Sequence, residues 1–364
     1  MFCEDSSLLH TLKVCFRSTK GKIFFERQIY RISTNLSKNV VLFSRQRFAI
    51  TENPCIFALT IIGLQIKRTP YLYMTKILVT GGSGFVGSRF LKRWSREYNV
   101  LAPRRQELDI TDAMAVMRYC REHEPDVIVH TAAISNTGYC EEHPEESLLV
   151  NTTATIHLAE VAAEVGAKFI FFSSDQIYNG NTEQGLLYED VDVAPVNHYG
   201  RHKLQAELGV LDVLPDAVML RATWMYDLPH EGLPAHPNFM TNLIRAVHEG
   251  TTLPYAIHEH RGITDVSEVV EYLPKTFELP GGVYNYGAEN ELNTYETALR
   301  FVKEWQGEEI ASTIVVTDTE RFAQQPRNIS ISTDKITAMS LGEINFTETL
   351  EGLKKFVKGH LKLL

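Results

Sequence analysis

Lys76-Ile-Leu-Val-Thr80 runs directly into Gly81-Gly-Ser-Gly-Phe-Val-Gly87. The first five residues form a short apolar run, the kind that a buried parallel strand takes. The glycines at 81, 84 and 87 follow the pattern G-x-x-G-x-x-G. A side chain in such a turn would keep a pyrophosphate away from the backbone N–H groups, and a helix that starts there adds its positive end. A glycine pattern alone is weak evidence, but between a strand and a helix it predicts a dinucleotide site. Gly81, Ser83, Gly84, Phe85, Val86 and Gly87 are the candidates for that contact.

Strands and helices alternate outward from this turn. Residues 88–98 read as a helix with Phe90, Leu91 and Trp94 on one face. Residues 99–102 form a strand, 111–123 a helix with Asp112 near its start, and 126–130 a buried strand. Residues 144–166 read as one long helix closed by glycine, 168–172 as a strand, 196–213 as a helix and 217–220 as a strand. The expected fold is α/β, a Rossmann-type, doubly wound parallel sheet. Beyond residue 222 the pattern loosens around Pro229, Pro234 and Pro237. Helices are expected near 238–249, 265–278, 294–305 and 346–359, and strands near 252–257, 282–286 and 311–316. The expected organisation is a leader at 1–73 outside the fold, a dinucleotide-binding domain at 74–222, and a smaller substrate lobe at 223–364 interleaved with the sheet.

Charge supports that division. Residues 1–73 hold 11 Lys/Arg and 4 Asp/Glu, a charge of +7, which leaves −16 for the rest of a chain whose total is −9. An acidic body argues against nucleic acid as partner. The basic leader reads as dispensable, either a targeting segment or sequence foreign to the working protein, which would start at Met74. No apolar run reaches the roughly 18 residues that span a bilayer, so no membrane partner is expected. Cys3, Cys15, Cys55, Cys120 and Cys140 form no CxxC pair or zinc pattern, and a reduced, cytoplasmic setting follows. His123, His130, His230 and His236 have no ligand spacing, and no metal is expected.

A strand that prefers NAD often ends in an acid for the ribose 2′-OH. Here Ala102-Pro-Arg-Arg105 ends the second strand, and two guanidinium groups suit a 2′-phosphate. That favours NADP (NADPH) over NAD. Asp109 and Ile110 come next and are candidates to face the adenine.

Tyr199-Gly-Arg-His-Lys203 places a phenol and an amine four residues apart, on one helix face. An adjacent ammonium favours the phenolate and lowers the phenol pKa. This pair follows Phe171-Phe-Ser-Ser-Asp175, a strand end whose hydroxyls can bond a substrate carbonyl. Glycine turn, strand-end serine and Tyr-x-x-x-Lys helix, in that order, make a catalytic set far less probable by accident than any one part.

These residues resemble the extended short-chain dehydrogenase/reductases, and within them the dTDP-4-dehydrorhamnose reductase family of sugar-nucleotide-binding reductases. The resemblance covers residues 75–358. Leu108-Asp-Ile-Thr-Asp112, Pro125-Asp-Val-Ile-Val-His-Thr-Ala-Ala133 and Asn151 match its landmarks, as do Ser173-Ser-Asp-Gln-Ile-Tyr-Asn-Gly180 and Leu220-Arg-Ala-Thr-Trp-Met-Tyr226. Arg261-Gly-Ile-Thr264 and Gly282-Val-Tyr-Asn285 are weaker matches. The resemblance implies Ser174, Tyr199 and Lys203 as the catalytic set, with Ala132, Ala133, Asn151 and Lys203 beside the cofactor. It implies hydride transfer to the keto group of a nucleotide-linked sugar, Tyr199 protonating the forming alkoxide, Ser174 polarising the carbonyl and Lys203 tuning Tyr199. It leaves room for a homodimer. The chain departs from the family on the substrate side, at Gln176, at Ile134-Ser135 and at Gln325-Pro-Arg-Asn-Ile329. Two rival functions share the same residues: an epimerase or dehydratase that holds NAD tightly, and a non-catalytic, NADP-binding regulatory subunit.

Overall fold

The computed structural model describes residues 74–360 and, ahead of them, the backbone of four short strands. The chain divides into two units, Met1–Tyr73 and Met74–Leu364. In the first, Arg17–Thr19 pairs antiparallel with Lys22–Phe24, and Tyr30–Ser33 with Asn39–Leu42.

The second unit is built on six strands: β1 (Lys76–Thr80), β2 (Asn99–Leu101), β3 (Val127–His130), β4 (Lys168–Ser174), β5 (Val218–Ala222) and β6 (Gly282–Tyr286). They lie in the order β6-β5-β4-β3-β1-β2, every neighbouring pair parallel. Side chains alternate between the two faces, and both faces are covered. Ile77, Val79, Val129 and Phe172 face one core with Phe90 and Trp94. Leu78, Ile128, Phe169 and Phe171 face another with Val116, Leu158 and Val210. From β1 the chain goes to β2 on one side, then crosses to β3 on the other. The crevice at the carboxyl ends of β1 and β3 is therefore the switch point at which such sheets bind ligands.

Helix boundaries show where local chemistry overrode the sequence pattern. The first helix is Phe85–Trp94, not 88–98, because Gly84 sits extended at its N-cap and the glycine turn feeds straight into it. Asp112 caps Ala113–His123, its carboxylate accepting from the Ala115 N–H at 2.9 Å. The long helix is interrupted. Pro144–Leu148 widens into a π-helical turn at Leu149–Thr153 before Ala154–Val165, which Gly166 closes in the left-handed conformation. Such turns are frequent at functional sites.

Beyond β5 lie three small parallel pairs: Trp224–Tyr226 with Ile263–Asp265, Leu253–Ala256 with Val315–Asp318, and Glu259–Arg261 with Arg327–Ile329. Helices Phe239–Glu249, Thr294–Gln306 and Thr349–His360 enclose a third core around Phe239, Leu243, Phe301 and Leu353. The strand expected at 311–316 starts only at Val315. Glu308–Ile314 is a helix, with Glu308 and Glu309 in its first turn and Ala311 and Ile314 buried. Strand β6 comes from this half of the chain yet pairs with β5, Gly282 opposite Val218.

Candidate active site

The glycine turn is packed too closely for side chains. Gly81 has φ +75°, and a Cβ there would come within 2.6 Å of Ala132 N and 2.8 Å of Thr131 Oγ1. A Cβ on Gly87 would strike the Gly81 carbonyl oxygen. The Gly84 N–H donates to that same carbonyl at 2.8 Å, which closes the turn. The helix that follows has neither a side-chain cap nor an acidic residue in its first turn. Its first N–H groups are thus left for an anion, and the bare backbone gives a diphosphate room to approach. The cradle fits a dinucleotide. Ser83 is exposed at its rim, and Phe85 and Val86 are partly buried.

The other expected cofactor residues line the same edge. Arg104 and Arg105 are exposed just after β2. Asp109 Oδ1 accepts from the Thr111 N–H at 2.9 Å and from the Thr111 hydroxyl at 2.7 Å, which holds this carboxyl below its ordinary range. Ile110 follows, partly buried. Ala132 meets Gly81, and Ala133 is exposed beside it. Asn151 acts one step removed. Fully buried in the π-helical turn, it accepts from the Ile134 N–H at 2.9 Å and donates to the Ile134 carbonyl at 3.0 Å. It fixes the loop after β3. His130 lies beneath, bonded to Thr80 Oγ1 at 2.6 Å and Thr155 Oγ1 at 2.9 Å, and burial pushes it down to about 3. It is a neutral core residue.

The expected catalytic residues lie on β4 and on the next α-helix. Ser174 ends β4, and its Oγ accepts from the Gln176 N–H at 3.2 Å. Tyr199 and Lys203 lie on helix His198–Val213, which Asn197 caps. Tyr199 is 7% exposed, and Ser174 is the neighbour that favours its ionised form. Lys203 is buried, and its Nζ donates to the Phe172 carbonyl at 2.7 Å. The expectation that Lys203 lowers the Tyr199 pKa is corrected. Burial carries the phenol well above its ordinary value, Ser174 only partly offsetting it. Lys203 itself is pushed down to about 7 by burial, against the pull of Glu207. In this geometry the phenol is held protonated and the amine turns to the strand. Glu207 anchors the helix from its next turn. Arg221 of β5 reaches it at 2.8 Å and donates to the Tyr178 hydroxyl at 2.7 Å, both charges buried.

A charged cluster that the sequence did not single out borders Ser174. Arg261 Nη2 lies 3.1 Å from Asp175 Oδ2 and Nη1 3.8 Å from Glu259, and its guanidinium stands over the Trp224 ring. Arg327 donates from Nε to Glu259 at 2.9 Å and stacks on Phe322. Burial opposes ionisation of Glu259, but Arg261 and Arg327 together carry it below its ordinary range. Asp175 stays raised by burial in spite of the same two cations. Asp175, Arg261 and Arg327 stand in segments compared with the family, whereas Glu259, which joins the two arginines, stands in none. Among the described residues no group of three or more His, Cys, Asp or Glu could hold a metal ion, and no helix is long and apolar enough to cross a membrane.

A phosphate cradle at the switch point, with a Ser-Tyr-Lys set on the next strand and helix, defines a nicotinamide-dinucleotide oxidoreductase of the extended short-chain type. The chain belongs to the RmlD substrate binding domain family, which matches residues 74–360. It is 35% identical over 153 residues to dTDP-4-dehydrorhamnose reductase of Mycolicibacterium smegmatis, across 42% of this chain and 46% of that one. It is 25% identical over 282 residues to methionine adenosyltransferase 2 subunit beta of Xenopus laevis, across 74% and 83%. The fold matches dTDP-4-dehydrorhamnose reductase of Bacillus anthracis, solved with NADP, at TM-score 0.67 and 20% identity, across 79% of this chain and 99% of that one.

Proposed function

We propose that this protein is an NADPH-dependent reductase that acts on the keto group of a nucleotide-linked sugar. The observation that carries the reading is the buried Tyr199 and Lys203 on one helix, with Lys203 Nζ on the Phe172 carbonyl two residues before Ser174. When bound, the nicotinamide supplies the hydride. Tyr199, kept protonated by burial, gives its proton to the oxygen of the reduced carbonyl. Ser174 donates a hydrogen bond to that oxygen as charge develops on it. Lys203 holds the helix to β4 through the Phe172 carbonyl and so sets the distance between phenol and serine. Gly81, Gly84 and Gly87 would carry the diphosphate, and Arg104 and Arg105 a 2′-phosphate.

The match to an adenosyltransferase beta subunit favours a second reading, a regulatory subunit that binds NADP without turnover. One experiment divides these readings and the epimerase alternative. NADPH oxidation is followed against a panel of nucleotide-linked 4-keto sugars. Net oxidation supports the reductase. Sugar turnover without net oxidation points to an epimerase. Cofactor binding with no turnover of any kind points to the regulatory subunit.

A further inference from the structure

Between the two catalytic residues of helix His198–Val213 lies His202, which the reductase reading gives no task. It is 6% exposed. Its Nδ1 lies 2.8 Å from Ser147 Oγ, and its backbone carbonyl accepts from the Thr152 hydroxyl at 2.8 Å. Both partners belong to the interrupted long helix, Ser147 just before the π-helical turn and Thr152 within it.

Proton directions at Asn151 follow by elimination. Asn151 faces an N–H and a carbonyl of Ile134, so its Oδ1 must accept from the first and its Nδ2 donate to the second. The second Nδ2 hydrogen goes to Ser147 Oγ at 3.1 Å. Ser147 Oγ therefore receives from Asn151, and its own proton and second lone pair remain for its other two neighbours, His202 Nδ1 and the Cys140 thiol. The Cys140 thiol donates to the Ile134 carbonyl at 3.3 Å. The tautomer that carries its proton on Nε2 lets His202 accept on Nδ1 from Ser147. Its surroundings agree. Burial, then His198 and Arg201, hold it below the ordinary histidine range against the pull of Glu141.

We propose that His202 is a positioning residue, a hydrogen-bond acceptor that keys the Tyr199–Lys203 helix to the π-helical turn and, through Asn151, to the Ile134 loop at the cofactor crevice. Without an acceptor at this point the Ser147 hydroxyl would keep its bond from Asn151 but lose its buried partner on the catalytic helix, and that helix would lose its register against the loop.

The kinetic part of the test rests on the reductase reading, and the spectroscopic part does not. His202→Asn places an amide oxygen where Nδ1 accepts, whereas His202→Leu removes the acceptor. His202→Leu is expected to lower kcat about tenfold, the size of one lost buried hydrogen bond, with KM for the keto sugar and the fold intact by circular dichroism. His202→Asn is expected to restore kcat to within about threefold. Nitrogen-15 resonances of wild-type imidazole at pH 7.5 are expected to show His202 protonated on Nε2 and bare on Nδ1. Wild-type kcat in the leucine variant, equal impairment of both variants, or a proton on Nδ1 each overturns the proposal. If wild type oxidises no NADPH with any keto sugar, the reductase reading has failed. The imidazole spectrum then still judges the proton chain on its own.

Discussion

Lys203 Nζ bonds the Phe172 carbonyl at 2.7 Å, two residues before Ser174, so the amine of the catalytic helix is tied to the strand that presents the serine. The contact satisfies the amine in a buried place but does not make it a comfortable cation. Burial pushes its pKa from 10.5 down to about 7. Between these values the unfolded chain carries a proton that the folded chain has shed, so stability rises with pH from about 7 to about 10.5. The Lys203→Met variant lacks this dependence. Its melting temperature relative to wild type is expected to be highest near pH 7 and to fall steadily toward pH 10, by differential scanning fluorimetry. A constant difference between the two proteins across that range would show that Lys203 is solvated. The same variant is expected to lose both turnover and cofactor affinity.

Tyr199→Phe removes the proton donor and little else, because the ring packing is kept. Turnover is expected to fall about 10²–10⁴-fold, the range for a lost general acid, with NADPH affinity close to wild type by fluorescence titration. The raised phenol pKa adds a pH signature. Activity has no acid limb from Tyr199 and declines only where the phenol ionises, above its ordinary range. Full activity in the phenylalanine variant would remove Tyr199 from the mechanism.

Arg104 and Arg105 stand exposed after β2, where an acid would serve NAD. Each charge-assisted contact to a 2′-phosphate strengthens binding, and the preference for NADPH over NADH is expected to be about ten- to a hundredfold. The double change to Ala is expected to abolish most of it, raising the NADPH Kd while that of NADH stays put. Equal wild-type affinity for the two cofactors would make these arginines a solvated loop.

Much of this site was readable before any coordinates because its parts are local. A strand, a glycine turn and a helix follow one another without interruption from Lys76 to Trp94, and Tyr199 and Lys203 are one helical turn apart. What escaped depends on the tertiary fold. Asp175 and Arg261 are 86 positions apart and meet only in the folded chain. The π-helical turn at Leu149–Thr153 has no sequence period of its own, and its Thr152 hydroxyl is bonded to the His202 carbonyl 50 positions away. The direction of the Tyr199 shift also escaped, since spacing shows the lysine and says nothing of burial, which is the larger effect here.

Family similarity starts at residue 74, and residues 74–364 form a unit of their own. A protein that begins at Met74 is expected to be soluble, bind NADPH and turn over like the full chain. Loss of cofactor binding on removing residues 1–73 would mean that the preceding segment packs on the body.

The helix that opens at Phe85 also holds a loop in place. Arg89, in its second turn, donates from Nε to Asp227 at 2.6 Å with both side chains less than a tenth exposed. Its Nη1 reaches the Phe85 carbonyl at 2.9 Å and the Pro234 carbonyl at 3.3 Å. Asp227 answers with its other oxygen, accepting from the Leu228 N–H at 2.8 Å and bonding His230 Nε2 at 3.1 Å. The segment from 228 to 237, with three prolines and no regular structure, is thus fastened to the helix that would carry the diphosphate. A buried ion pair adds little over an apolar pair of the same shape, but removing one partner strands the other charge, at a cost of about 3–5 kcal/mol. Arg89→Met is therefore expected to destabilise the protein by that amount in urea unfolding and to speed proteolytic cleavage within 228–237. The double variant Arg89→Met, Asp227→Leu is expected to recover most of the stability, because no charge is left unpaired, while the loop, without its hydrogen bonds, stays open to cleavage. If Arg89→Met alone stays within about 1 kcal/mol of wild type, the pair is solvated and does not fasten the loop.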